Sequence, residues 1–147
     1  MGERLQIGLS TYGSSKETPA VRAFLDEPHY AVIAPINESG MPQLTAVWYA
    51  LQGDEVLMNT AAGRLKHRNL QRDPRLSVCI VDGERYVTLY GRARLIDDQA
   101  QAQPDDLVLA ARYDGPEKVP ERAAAIATQH RVTIRMAITH VHARGIE

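Results

Sequence analysis

Apolar residues recur with two different periods along this chain. Near its start Val21, Phe24 and Leu25 fall at helical spacing, and Thr18-Pro19 ahead of them supplies an N-cap and a first-turn proline. That predicts a short helix. The middle of the chain reads as strands. His29 to Ile36 is apolar and β-branched, and Asn37 to Gly40 is a turn. Pro42 to Leu51 alternates, with Gln43, Thr45, Val47 and Tyr49 on one face and Leu44, Ala46, Trp48 and Ala50 on the other. A turn at Gln52-Gly53-Asp54 leads to a strand over Glu55 to Thr60. Strands follow at Leu76 to Val81 and Arg85 to Ile96, and Gly91 inside the second predicts a bulge or tight bend.

Between them, Gly63 to Arg72 leaves the strand pattern among good helix formers and ends at Asp73-Pro74. Asp97 to Ala102 is polar and Gln-rich and reads as a connector. Helices are expected at Asp105 to Tyr113 and Pro120 to His130, and a last strand at Val132 to Ile138. Residues 1–16 are expected to form an N-terminal arm, and residues 17–147 one domain. About six strands joined by short turns, with few helices, predict a mainly β fold: an antiparallel, closed or nearly closed barrel with helical attachments.

Composition narrows the function. A chain of 147 residues is one domain, and 44% hydrophobic residues exclude a disordered one. Lys and Arg number 17 against 18 Asp and Glu. A chain this neutral lacks the basic surface a nucleic-acid coat needs, so no nucleic-acid partner is expected. The longest apolar run, Tyr30 to Ile36, is far short of a membrane span, and Met1 to Ser10, with Glu3, Arg4 and Gln6, does not read as a secretory h-region. Cys79 is the only cysteine, which excludes an internal disulfide and suits a reducing compartment. A soluble cytoplasmic protein is the expectation.

Charge is unevenly placed. Residues 64 to 75 carry Arg64, Lys66, Arg68, Arg72 and Arg75 against one acid, Asp73, so the excess positive charge is concentrated there. The stretch follows Asn59-Thr60-Ala61-Ala62-Gly63, the end of a strand. A strand end, a glycine and a helix start make an anion site, because free backbone N–H groups and the helix dipole face the anion. A solvated basic helix face is the competing reading. Other chemistry is sparse. His140-x-His142 has a spacing found in metal sites but no third ligand nearby in sequence, and no metal is expected. There is no Gly-x-Ser-x-Gly elbow, no Gly-x-Gly-x-x-Gly and no Walker A motif. Cys79 reads as inert core; Trp48 and Tyr49 could flank a planar ring, with core packing as the competing reading.

Taken together, Gly40 to Tyr49, Asn59 to Arg75, Tyr86 to Ala93 and the Arg131-Val-Thr-Ile-Arg and Ile138-Thr-His-Val stretches resemble the pyridoxamine 5'-phosphate oxidase-like, FMN-binding split β-barrel superfamily. Within it they are most similar to the F420-dependent oxidoreductase branch known as FDOR-B. The resemblance implies a homodimer with its cofactor, F420 or alternatively FMN, at the subunit interface. It implies a ring lying against Gln43, Thr45, Val47 and Trp48, and a phosphate tail near Asn59, Thr60, Arg64, Lys66 and Asn69. Arg68, Arg72 and Arg75 would face an acidic tail. A partner hairpin would bring Arg85 and Tyr86. The implied chemistry is hydride transfer from reduced F420 to an unsaturated or conjugated small molecule. No catalytic side chain is singled out; Tyr49, Arg85 and His140 are candidate proton donors. A non-catalytic flavin, F420 or haem carrier is the alternative of a different class.

Overall fold

A computed structural model describes residues 18–146; the expected arm at 1–16 lies outside them. Helix α1 (Pro19–Asp26) starts where expected, with the Thr18 hydroxyl accepting from the Val21 N–H at 3.2 Å. Then come β1 (Ala31–Ile33), β2 (Thr45–Val47), β3 (Ala50–Gln52), β4 (Glu55–Ala61), α2 (Leu65–Arg72), β5 (Arg75–Asp82) and β6 (Arg85–Ile96). Helix α3 (Gln99–Asp114), a short 3-10 turn, α4 (Val119–Ile126) and the long β7 (Arg131–Arg144) complete the chain. Seven antiparallel strands form one sheet in the order β2-β1-β5-β6-β7-β4-β3. Its two outermost strands, β2 and β3, are consecutive in the chain, so the sheet curls almost into a closed barrel with a split at Trp48-Tyr49.

That split corrects the single strand expected over Pro42 to Leu51. Alternation holds from Gln43 to Val47, then the chain leaves one edge of the sheet for the other. Tyr49 anchors the crossing: it is fully buried, and its hydroxyl donates to the Leu25 carbonyl at 2.7 Å. The strand expected over His29 to Ile36 shortens to Ala31–Ile33 and continues only as a bridge from Ile36 to Pro42. Pro28 and Pro35 flank it, and neither can donate to a ladder. The polar connector expected over Asp97 to Ala102 is instead the start of α3. Asp98 caps that helix, accepting from the Ala100 N–H at 3.0 Å, and Pro104 is tolerated within it.

The predicted irregularity at Gly91 is present as a register shift between Tyr90 and Gly91 in the β6–β7 ladder. A Cβ there would lie 2.2 Å from the Ala137 carbonyl oxygen, so the strands approach as closely as they do only because the residue is glycine.

The barrel interior is filled by Ile33, Met58, Val78, Ile80, Leu89, Ile134 and Met136, with Phe24 and Leu25 of α1 packed against them. The outer side of β4 and β7 is covered by α3, where Leu57 meets Leu109. Among the described residues nothing covers the outer side of β2, β1 and β5, where Leu44 is 70% exposed, Val81 52% and Val32 36%. No helix among the described residues is long and apolar enough to cross a membrane.

Candidate functional site

The concentration of positive charge lands at the start of α2. Strand β4 ends at Ala61, the chain turns through Gly63 with φ of +85°, and α2 begins. A positive φ at this turn suits glycine. Arg64, at the N-cap position, makes no side-chain capping bond. The Gly63 N–H is used by His67 Nδ1 at 3.0 Å, but the amides of the first helical turn are left for a ligand. Lys66 is half-buried, and burial and the nearby charges of Arg64 and Arg131 push its ammonium below the ordinary lysine range. Among the described residues neither Arg64 nor Lys66 is paired with a carboxylate. Thr60, on the strand leading in, is 1% exposed and its hydroxyl has no partner. Clustered cations, an uncapped helix start and an orphaned hydroxyl all fit an anionic group, because each is left unsatisfied without one.

The same helix is tied to the strand expected to carry a ring. Asn69 is buried, and its amide nitrogen donates to Gln43 Oε1 at 2.9 Å and to Asn37 Oδ1 at 3.0 Å. Its oxygen accepts from Arg72 Nη1 at 3.1 Å, and Arg72 also donates to the Ile36 carbonyl. Gln43, Asn69 and Arg72 therefore form one linked group. Thr45 and Val47 follow Gln43 on the same side of β2, half-buried, paired with Ile33 and Ala31. Arg75 turns away from this group and pairs with Asp73 at 2.7 Å, which holds the Asp73 carboxyl down at about 2. Arg68 stays exposed.

Other expected site residues lie elsewhere. Asn59 points out of the barrel toward α3, donating to the Ala102 carbonyl at 2.9 Å and accepting from Arg131 Nε at 2.9 Å. Trp48 sits beyond the strand break and stacks on Tyr113 with ring centroids 5.3 Å apart and planes within 4°. Arg85 and Tyr86 stand past the Val47–Ala31–Ile80–Val87 row, toward the end of the sheet away from α2. Arg85 pairs there with Asp82 and Glu27, and Tyr86 packs beside His142. Within one chain these four do not join the cluster at α2. Of the proton-donor candidates, Tyr49 is enclosed and its hydroxyl is pushed up by burial. His140 is exposed on β7.

Spacing along the chain did not single out Arg131, Asp106 or Asn37. Arg131 is the register partner of Ala61, the last residue before the turn into α2. Its Nη2 donates to Asp106 Oδ2 at 3.0 Å, inside a buried pair. Residues 25 positions apart on a helix and a strand leave no periodic signal of their contact.

The profile of the pyridoxamine 5'-phosphate oxidase family matches residues 17–144. An F420H2-dependent biliverdin reductase of Mycobacterium tuberculosis (strain CDC 1551 / Oshkosh) is 29% identical over 112 residues, covering 75% of this chain and 82% of that protein. A solved structure of a conserved hypothetical protein from Mycobacterium tuberculosis superposes with a TM-score of 0.75 at 26% identity, over 87% of this chain and 84% of its own. A solved F420 reductase gives a TM-score of 0.71 at 26% identity, covering 86% of this chain and 98% of its own.

Proposed function

This chain belongs to the pyridoxamine 5'-phosphate oxidase family, and from that premise we propose that it is an F420H2-dependent reductase of an unsaturated or conjugated small molecule. The observation that carries the reading is the joined cluster at α2: an anion-ready helix start linked through Asn69 to the Gln43–Val47 edge of β2. The likeness to an F420H2-dependent biliverdin reductase supports F420 over FMN.

Arg64, Lys66 and the first-turn amides of α2 hold the phosphate. Gln43 and Thr45 would meet the ring with polar atoms, and Asn69 fixes the Gln43 amide by donating to its Oε1. Val47 gives the ring an apolar wall. When bound, the reduced deazaflavin supplies the hydride, and the chain supplies position and exclusion of water. Tyr49 takes no part in proton transfer, because its hydroxyl is committed to the Leu25 and Glu27 carbonyls.

The working unit is a homodimer in the cytoplasm. The outer face of β2, β1 and β5 carries Leu44, Val32 and Val81, an apolar surface that suits a second copy. A partner's hairpin would bring Arg85 and Tyr86 to a cluster they do not reach within one chain. The lone cysteine suits a reducing compartment. The test is turnover: protein with F420H2 and biliverdin, the substrate of the similar reductase, followed by recovery of oxidised-F420 absorbance. No reoxidation above the protein-free rate, with biliverdin or a panel of conjugated compounds, sinks the reductase reading.

A further inference from the structure

The anion site at α2 has a cation behind it that does not belong to α2. Arg131 opens β7 opposite Ala61, and its guanidinium is almost wholly enclosed, with 6% of the side chain exposed. Three partners orient it: Asn59 accepts from Nε at 2.9 Å, Gln129 from Nη1 at 2.7 Å and Asp106 from Nη2 at 3.0 Å. Asp106 is shared, since it also accepts from Arg122 Nε at 2.7 Å and Nη2 at 2.9 Å. One buried carboxylate thus serves two guanidiniums, and the half-open one, Arg122, also lies near Asp114. The enclosed one, Arg131, stands near Arg64 and Lys66. Burial, with the charges of Arg122 and Arg64, pushes the Arg131 guanidinium down, and Arg131 in turn helps to push Lys66 down.

Clustering three like charges, one of them buried, is unfavourable in the empty protein. A purely structural ion pair would gain nothing from facing two further cations. The arrangement gains stability only when an anion arrives. We propose that Arg131, clamped by Asp106, Asn59 and Gln129, is a positioning residue that acts as a fixed third cation behind the α2 site and sets the preference for a phosphorylated over a phosphate-free cofactor. Asn59 then serves the phosphate through Arg131 rather than by touching it. The proposal rests on reading α2 as the phosphate site.

The experiment measures dissociation constants for two pairs of probes: FMN against riboflavin, and F420 against its phosphate-free deazaflavin chromophore. The proteins are the parent, Arg131→Met and Arg131→Lys. The parent binds the phosphorylated member of its pair more tightly. Arg131→Met loses about tenfold of that ratio, the scale of one charge acting across several ångströms of protein, and binds the phosphate-free member as before. Arg131→Lys keeps most of the ratio, which a merely structural role would not predict. A double variant, Asp106→Asn with Arg131→Met, leaves no buried carboxylate short of a partner and shows the same loss should the single variant fold poorly. An unchanged ratio in Arg131→Met or the double variant overturns the role of Arg131 and leaves the α2 site standing. A parent protein that binds both members of each pair equally overturns the phosphate site, and the role of Arg131 with it.

Discussion

Replacing Lys66 with alanine separates binding from folding. Lys66 is half-buried beside Arg64 and Arg131, with no carboxylate paired to it among the described residues. Its charge is thus a cost to the folded state, and its removal relieves like-charge repulsion. Thermal stability of Lys66→Ala should equal or exceed that of the parent. Binding moves the other way. A hydrogen bond to a charged group contributes roughly 1.5–3 kcal/mol, so the dissociation constant for F420 should rise between about tenfold and 150-fold. The measurement is fluorescence titration with F420 together with a thermal melt of the unliganded protein. A variant that loses stability and affinity in proportion would refute the reasoning, because Lys66 would then be a packing residue. An unchanged affinity would remove it from the phosphate site.

Three further outcomes follow from the same geometry. Because the Lys66 ammonium titrates below the ordinary lysine range and an anion favours its charged form, cofactor affinity should fall as pH rises through that lowered value; stability of the empty protein should rise over the same interval, where the unfolded chain holds the extra proton. Lys66→Arg should flatten the affinity profile, and a fall as steep as the parent's would count against Lys66 as its source. Gly91→Ala should destabilise by roughly 3 kcal/mol, seen as a lower melting temperature, since the new Cβ meets the Ala137 backbone oxygen rather than a movable side chain; a shift within error would mean the bulge tolerates a side chain. Val32→Lys should turn the proposed dimer into a folded monomer by light scattering and circular dichroism, as Val32 is partly exposed on the outer face, paired with Ala46 and Cys79; a variant that still associates would place the interface elsewhere.

Much of the fold was legible because local chemistry dictated it. Thr18-Pro19, the turn glycine Gly53, Asp73-Pro74 and Gly91 each act within a few residues, and each is found where the sequence places it. The break at Trp48-Tyr49 was not legible. Alternation records which side a residue faces, not which edge of a sheet it joins, and Tyr49 is drawn out of the strand by a carbonyl 24 residues away. The start of α3 was not legible because Gln99 to Gln103 has little apolar periodicity and is held by an Asp98 cap and by Gln99 reaching across to Arg131 of β7.

At the site, charge density and the strand–glycine–helix order pointed to Arg64 and Lys66. The contact between Gln43 and Asn69 left no signal in the sequence, since 26 residues separate them. Asn59 and Trp48 sit beside these residues in sequence yet face the other side of the sheet, toward α3. Arg131 and Asp106 were invisible for a related reason: their partnership is made by the packing of α3 on β7, not by any spacing within either.

We propose that the α2 site and the Gln43–Val47 strand together bind F420 in preference to a flavin. The decisive measurement is a titration of purified apo-protein with F420 and, separately, with FMN. Tight F420 binding and much weaker FMN binding are expected, with one cofactor per chain in a dimer. Preference for FMN, or binding of neither, would contradict it.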